Sequence, residues 1–411
     1  MRALFGVCRP LRLVVSLLVV SLLVVAPARA GDAYVPGPDR WERRKPSDLG
    51  IDDAKVAAAV AWALTQETDW PKDFSTQREI FGRPLGPLPA TRASTNGVIL
   101  KDGYIIAEFG DIEAADPTYS VAKSYLSTIL GVTIDRGIIG SIDERVGERV
   151  GASLGDDGFV DPPGTPAHNA LVTWKHFVTM TSEWRGEMFG KVHDFPGTVE
   201  YGKSAMQPRV LWKPGTFYEY NDVRINRFAL SLLRLWKRPL EHVLRDEVMN
   251  PIGASRTWKW VPYDNAMVEV DVGGRKETLP SISGGTRWGG GLWISTLDHA
   301  RFGLLISRGG KWGDKQIVSE QWVREATKPQ GVKSDYGYLW WLNNAGRWPD
   351  VPRSSFSAQG AGDNTIWIDN EHGLVVVWRW HKGSAQGEFY SRIIGACGAV
   401  PAVTSMKPAK E

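Results

Sequence analysis

Cysteine is nearly absent from this chain. Of 411 residues only Cys8 and Cys397 carry a thiol. Cys8 falls in an N-terminal segment that reads as a leader, so the rest of the chain holds one thiol and no intrachain disulfide. Charge of one sign is lacking as well: 49 Lys and Arg face 46 Asp and Glu. Arg2, Arg9, Arg12 and Arg29 all lie in the first thirty residues, which contain no acid. Beyond them 45 basic residues meet 46 acidic ones, which excludes the basic field that nucleic acid requires. The seven His are scattered singly, without the spacing of a metal site. Gly284-Gly285 and Gly289-Gly-Gly291 lack a phosphate-loop lysine or a dinucleotide fingerprint, so no cofactor is implied. With 43% hydrophobic and 23% charged residues, the composition is that of a globular protein with a large core.

The first thirty residues have the build of a targeting segment: an Arg-bearing start, the apolar run Leu13 to Val25, and Ala28-Arg29-Ala30 as a small-x-small cleavage site before Gly31. The run is shorter than the roughly 20 residues of a membrane-spanning helix. The expectation is a cleaved signal peptide over 1–30, export to the periplasm or medium, and a single domain over 31–411 without a stable membrane span. Retention of the segment as an anchor is the alternative.

Asp52 to Gln66 has helical, Ala-rich spacing. Ser94 to Gly110 reads as a hairpin turning at Asp102-Gly103. Ser120 to Arg136 is apolar around most of its circumference and stops at Gly137, the pattern of a helix buried on several sides. Residues 140 to 280 read as a mainly helical insertion, with helices over Trp174 to Met180 and Val223 to Trp236 and no clean period-two run. Asn364 to Asp369 and Gly373 to Trp380 read as strands, and Phe389 to Cys397 as a closing helix. Strands at both ends around a helical middle predict one sheet completed by both parts of the chain.

The sharpest chemical signal is Ser120-Val121-Ala122-Lys123. Residues three apart share a helical face, so the Lys123 amine can sit beside the Ser120 hydroxyl, and burial lowers an amine's pKa toward the range in which it accepts that proton. A serine at a helix N-terminus also has backbone N–H groups beside it to stabilise negative charge. The bland alternative is a capping serine and a solvated lysine. A second candidate site is Lys213-Pro-Gly-Thr-Phe-Tyr-Glu-Tyr220-Asn221-Asp222. A tyrosine beside a lysine ammonium can shuttle a proton to a leaving group, and an adjacent amide or carboxylate can orient the lysine. Asn221 or Asp222 is equally a natural cap for the helix that follows.

Taken in order, Tyr119-Ser-Val-Ala-Lys-Ser-Tyr-Leu-Ser-Thr-Ile-Leu-Gly131, Ile134-Asp-Arg-Gly137, Thr179-Met-Thr-Ser182, Pro214-Gly-Thr216 through Tyr220, and Gly289-Gly-Gly-Leu292 resemble the serine beta-lactamase-related family. The likeness is to its class C branch, which also holds family VIII carboxylesterases, DD-peptidases and 6-aminohexanoate-dimer hydrolases, and it spans about residues 90 to 397. The resemblance implies an α/β (α+β) beta-lactamase/transpeptidase-like fold, a mostly antiparallel sheet flanked by helices with an inserted helical region. It implies Ser120 as the acylated nucleophile, Lys123 as its proton partner and Tyr220 as the second-motif tyrosine, with Tyr218 as the alternative. Where that family has Tyr-x-Asn this chain has Tyr220-Asn221-Asp222, and a carboxylate in the amide's place holds Lys123 more firmly charged.

The counterpart of the family's third motif, Lys-Thr-Gly, is Gln359-Gly360-Ala361-Gly362. A main-chain N–H near Ala361 or Gly362 could pair with that of Ser120 as an oxyanion hole, or the segment is simply a Gly-rich loop before a strand. It has no lysine or threonine to hold a beta-lactam carboxylate. Among 19 Trp, many cluster late, at Trp288, Trp293, Trp340, Trp341, Trp367, Trp378 and Trp380. Core packing accounts for most of them, and Trp184, just after Ser182, is the favoured pocket wall. The expected activity is hydrolysis of a small-molecule ester or amide through a Ser120 acyl-enzyme. The alternatives are a penicillin-recognising beta-lactamase or D,D-peptidase, and a catalytically silent binding or scaffold protein.

Overall fold

The computed structural model of the chain describes residues 34–38, 40–76, 81–151, 154–194, 209–284 and 291–398. The signal segment expected over 1–30 lies outside the described residues, as do Trp288 and Gly289-Gly290.

Helix α1 (Asp53–Leu64) is capped by Asp52, whose side chain accepts from the backbone N–H groups of Ala54 and Lys55. The expected hairpin forms from β1 (Asn96–Lys101) and β2 (Tyr104–Phe109). Asp102 and Gly103 both have positive φ, 52° and 93°, as a tight hairpin turn demands. A short strand β3 (Asp116–Pro117) and a 3-10 turn (Tyr119–Val121) lead into α2 (Ala122–Asp135). Every residue of α2 from Ala122 to Thr133 is buried, and Gly137, at φ 67°, ends it. The inserted region contains α3 (Asp222–Trp236) and several shorter helices, one of them Trp174–Val178.

Residues 259–282 depart from the helical expectation. They form a long hairpin, β4 (Lys259–Val272) and β5 (Arg275–Ile282), turning at Gly273-Gly274. Strand β6 (Gly291–Ile294) follows, then α4 (Thr296–Ser307). The chain closes with β7 (Trp341–Leu342), β8 (Phe356–Gly360), β9 (Asn364–Asp369), β10 (Leu374–Arg379) and α5 (Gln386–Ala396).

The main sheet is antiparallel, in the order β7-β8-β9-β10-β1-β2. It is completed by the early and late parts of the chain, with Asn96 opposite Arg379. Alternation along β10 assigns its two faces. Val376 and Trp378 pack with α1 and α5 against Phe389 and Tyr390. Val375 and Val377 face the core that also takes in Leu126, Ile129 and Leu130 of α2 and Phe302 of α4. A second sheet, β3-β6-β4-β5, borders the start of α2. Buried Arg379 joins the two sheets: its guanidinium donates to the carbonyls of Ile294, Asp116 and Pro117 and to the Asn364 side chain.

Candidate active site

Ser120 occupies the 3-10 turn between β3 and α2. Just before it, the Thr118 N–H donates to the Leu292 carbonyl, and the Thr118 hydroxyl meets Nε2 of His299 at 2.7 Å. Tyr119 has a φ of 49°, a left-handed conformation that costs a non-glycine residue about 1–3 kcal/mol and persists only where packing over-determines it. The Tyr119 ring is buried and meets Trp70 and Trp380 edge-on, at centroid distances of 5.6 and 6.1 Å. His299, also bonded to the Tyr125 hydroxyl, is held well below the usual histidine range, first by burial and then by the charge of Arg379, and stays neutral.

The expected neighbours converge. Lys123 Nζ donates to Ser120 Oγ at 2.8 Å and lies 2.7 Å from Asp222 Oδ1. The Tyr220 hydroxyl is hydrogen-bonded to Ser120 and Lys123, with the ammonium 5.0 Å from the ring centre. Tyr218 stands apart. Its ring meets Tyr336 edge-on and Lys333 hovers 5.3 Å from it, so of the tyrosine doublet Tyr220 is the one beside Ser120.

Of the two opposed sequence expectations for Lys123, that of the Asp222 carboxylate outweighs that of burial. Burial alone would lower the Lys123 pKa, but the charge of Asp222 and the contacts of Tyr220 outweigh it and the net shift is upward. The resting lysine is therefore an ammonium. Tyr220 is also shifted upward, chiefly by burial, with the Asp222 charge opposing Lys123, so it rests as a neutral phenol.

The segment carrying Tyr220 is anchored through both backbone and charge. Gly215 N–H donates to Thr181 O and Glu219 N–H to Met180 O, which brings the Thr179-Met-Thr-Ser182 motif alongside. Buried Glu183, fully enclosed, accepts from Arg209 at 2.6 Å and from Arg224 at 2.8 Å, and both arginines also bind Glu219. Desolvation pushes the Glu183 pKa up, but Arg209 and Arg224 more than reverse this and hold it below its ordinary value. Asn221 caps α3, accepting from Arg224 N–H at 2.9 Å and donating to the His193 carbonyl. It serves the helix, while the next residue, Asp222, serves Lys123.

The third-motif segment ends β8 beside Ser120. A Cβ built on Gly360 would stand 2.2 Å from Thr118 O and 3.1 Å from the amide nitrogens of Ser120 and Val121, so only glycine lets the strand approach this closely. Strand β7 pairs with Phe356 and Ser357 alone, which leaves the outer edge of β8 beyond them without a strand beside it among the described residues. Ala361 follows at that edge, its carbonyl accepting from Asn364, and Gly362 turns the chain at φ 71°. The Gln359 side chain points to the other face of the strand, where it bonds Ser357 and Arg347.

Trp184 sits in the core, 3% exposed, with its N–H on the Gly158 carbonyl and Arg227 over its ring. None of these partners belongs to the Ser120 cluster. The tryptophan that reaches the cluster is Trp341, partly exposed and stacked on Tyr220 at 5.9 Å and 24°. Its place in the late Trp cluster gave no sign of this, since Trp340, Trp367, Trp378 and Trp380 around it are core. Among the described residues no group of His, Cys, Asp or Glu could hold a metal ion, and no helix is long and apolar enough to cross a membrane.

A putative 6-aminohexanoate-dimer hydrolase from Bacillus anthracis has a similar fold, with a TM-score of 0.55 at 14% identity over 88% of each chain. EstCE1, a hydrolase with promiscuous acyltransferase activity, aligns at a TM-score of 0.55 and 13% identity over 86% of this chain and 99% of its own. A putative beta-lactamase from Bacteroides dorei aligns at 0.51 and 15%, over 74% and 92%. No curated protein matches the chain in sequence. The Beta-lactamase family profile matches residues 117–391, from the strand before Ser120 into the last helix. The chain thus belongs to the beta-lactamase family of serine hydrolases.

Proposed function

We propose that the protein is an exported hydrolase that cleaves a small-molecule carboxylic ester or amide through an acyl-enzyme on Ser120. The observation that carries this is the contact of Ser120 Oγ with Lys123 Nζ at 2.8 Å inside a buried cluster completed by Tyr220 and Asp222. Ser120 Oγ attacks the carbonyl carbon, Lys123 and Tyr220 relay its proton to the leaving group, and water later releases the acyl group by the reverse path. The Ser120 N–H and the N–H of Ala361 receive the oxyanion, an assignment supported by the approach of Gly360 to the Ser120 amide. Asp222 orients Lys123.

The ester or amide reading is preferred to a penicillin-recognising one because Gln359-Gly360-Ala361-Gly362 carries no cationic or hydroxyl side chain for a carboxylate. Export rests on the Leu13 to Val25 run and Ala28-Arg29-Ala30.

Intact mass after mixing with a chromogenic short-chain ester, beside turnover by wild type and Ser120→Ala, tests the reading, with nitrocefin in parallel. The expected result is an acyl adduct and ester turnover that both vanish in Ser120→Ala, with nitrocefin the poorer substrate. Preferred turnover of nitrocefin would reassign the protein to the penicillin-recognising class. Silence on both substrates would favour a very selective amidase or a binding protein.

A further inference from the structure

The resting cluster poses a problem of proton count. Lys123 is an ammonium with three acceptors around it: Ser120 Oγ, Asp222 Oδ1 and the Tyr220 hydroxyl. An ammonium has no lone pair, so it cannot take the proton of Ser120 until it has given one away. The groups facing it fix where that proton can go. Ser120 lies on the same turn, Tyr218, Tyr220 and Asp222 come from the segment entering α3, and Tyr336 comes from the loop before β7, where it feels the charge of Asp222. Serine and the three tyrosines already hold their protons. Asp222 alone has a vacant site, it is 5% exposed, and its one ion pair among the described residues is with Lys123.

We propose that Asp222 is a proton store acting through Lys123: it takes a proton from the ammonium as substrate binds, and so frees the amine that accepts the proton of Ser120. The proposal rests on the Ser120 acyl-enzyme reading and deepens it.

The steps balance. An N–H bond of Lys123 breaks and an O–H bond forms on Asp222. The free amine then takes the Ser120 proton as the Oγ to carbonyl-carbon bond forms. On collapse the Tyr220 hydroxyl protonates the leaving group, Lys123 reprotonates Tyr220, and Asp222 returns its proton to Lys123. The net change is one proton moved from Ser120 to the leaving group, and the pair ends as it began. Asp222 touches neither substrate nor reacting carbon, so it is a positioning residue whose contribution is read through the protonation of Lys123.

An internal transfer leaves a distinctive pH signature. Resting and competent states hold the same number of protons, so their ratio is independent of pH. With asparagine in this place, the cluster must first release a proton to solvent, and the rate falls about tenfold per pH unit below the pKa of that release.

The test measures burst-phase acylation by p-nitrophenyl acetate from about pH 5 to about pH 9 for wild type and Asp222→Asn. The expected wild-type profile is flat, and that of Asp222→Asn gains an acid limb of unit slope. Two profiles of the same shape would overturn the proposal. A wild-type rate that itself climbs with unit slope across the interval would overturn it even if the variant does not fold. Ser120→Ala separates the two levels. A burst that survives in Ser120→Ala removes the acyl-enzyme reading, whereas a Ser120-dependent burst with superimposable profiles removes the role of Asp222 alone.

Discussion

Gly360 lies against the Thr118 carbonyl so closely that a Cβ on the glycine would stand 2.2 Å from that oxygen. The atom in the way is backbone, not a side-chain tip that can swing aside. Gly360→Ala therefore pushes the end of β8, and Ala361 with it, away from Ser120. Because a displacement near 1 Å at a reacting centre costs about 100-fold, kcat/KM for a chromogenic ester should fall by about that factor. Thermal unfolding run alongside separates this local shift from loss of fold. A variant with wild-type kcat/KM would show that β8 takes no part in the site.

Lys123 and Asp222 should be more costly to remove singly than together. Lys123→Met leaves a buried carboxylate without its cation, which costs about 3–5 kcal/mol. Lys123→Met/Asp222→Asn should recover most of that stability in urea unfolding while remaining inactive. Equal stabilities of the single and double variants would deny the coupling.

Trp341 stacks on Tyr220, and aromatic pairs of this kind contribute about 0.5–1.5 kcal/mol. Trp341→Ala should loosen the Tyr220 hydroxyl and lower kcat up to about tenfold, with Trp341→Phe retaining most of it. Steady-state kinetics on p-nitrophenyl acetate decide the matter, and an unchanged kcat in Trp341→Ala would mean that Ser120 and Lys123 alone hold Tyr220.

Glu183 makes a pH-dependent contribution to the anchoring of the Tyr220 segment. Its folded-state pKa lies below its ordinary value of 4.5, so its stabilisation is fully present above that value and is lost as pH falls through the lowered one. Glu183→Gln should cost about 3 kcal/mol at pH 7, where Arg224 loses a buried partner. The gap to wild type should close progressively below about pH 4. A gap equally wide at pH 7 and pH 3 would place the effect in packing and not in charge.

Much of this site was legible because local chemistry announced it. Ser120 and Lys123 are three residues apart, and Asp102-Gly103 between two apolar runs turns as the residues require. Asp222 could be placed opposite Lys123 only through the order of motifs; its carboxylate already implied a charged lysine, and what no spacing supplies is the 2.7 Å separation. Trp184 was misplaced because proximity in sequence to Ser182 says nothing of which way the indole turns, and the Gly158 carbonyl claims it. Gln359 faces away from Gly360 by simple strand alternation, which the motif comparison ignored. The β4–β5 hairpin escaped notice although Val268, Val270 and Val272 alternate into Gly273-Gly274. Pro262, Asp264 and Asn265 interrupt the pattern where the register shifts between Pro262 and Met267.

The pairing of β1 with β10 sets an order of events in the life of the chain. Asn96 waits for Arg379, and until Arg379 arrives the carbonyls of Asp116 and Pro117, just ahead of Ser120, lack the guanidinium that ties the β3–β6 pair to the main sheet. A chain emerging from a ribosome therefore carries Ser120 long before the sheet behind it closes. Contacts of such long range are slow to form, so on the proposed mechanism acylating power appears at the end of folding, and a prematurely terminated chain would lack it. On that mechanism, reactivity toward an ester probe would report complete assembly of the sheet.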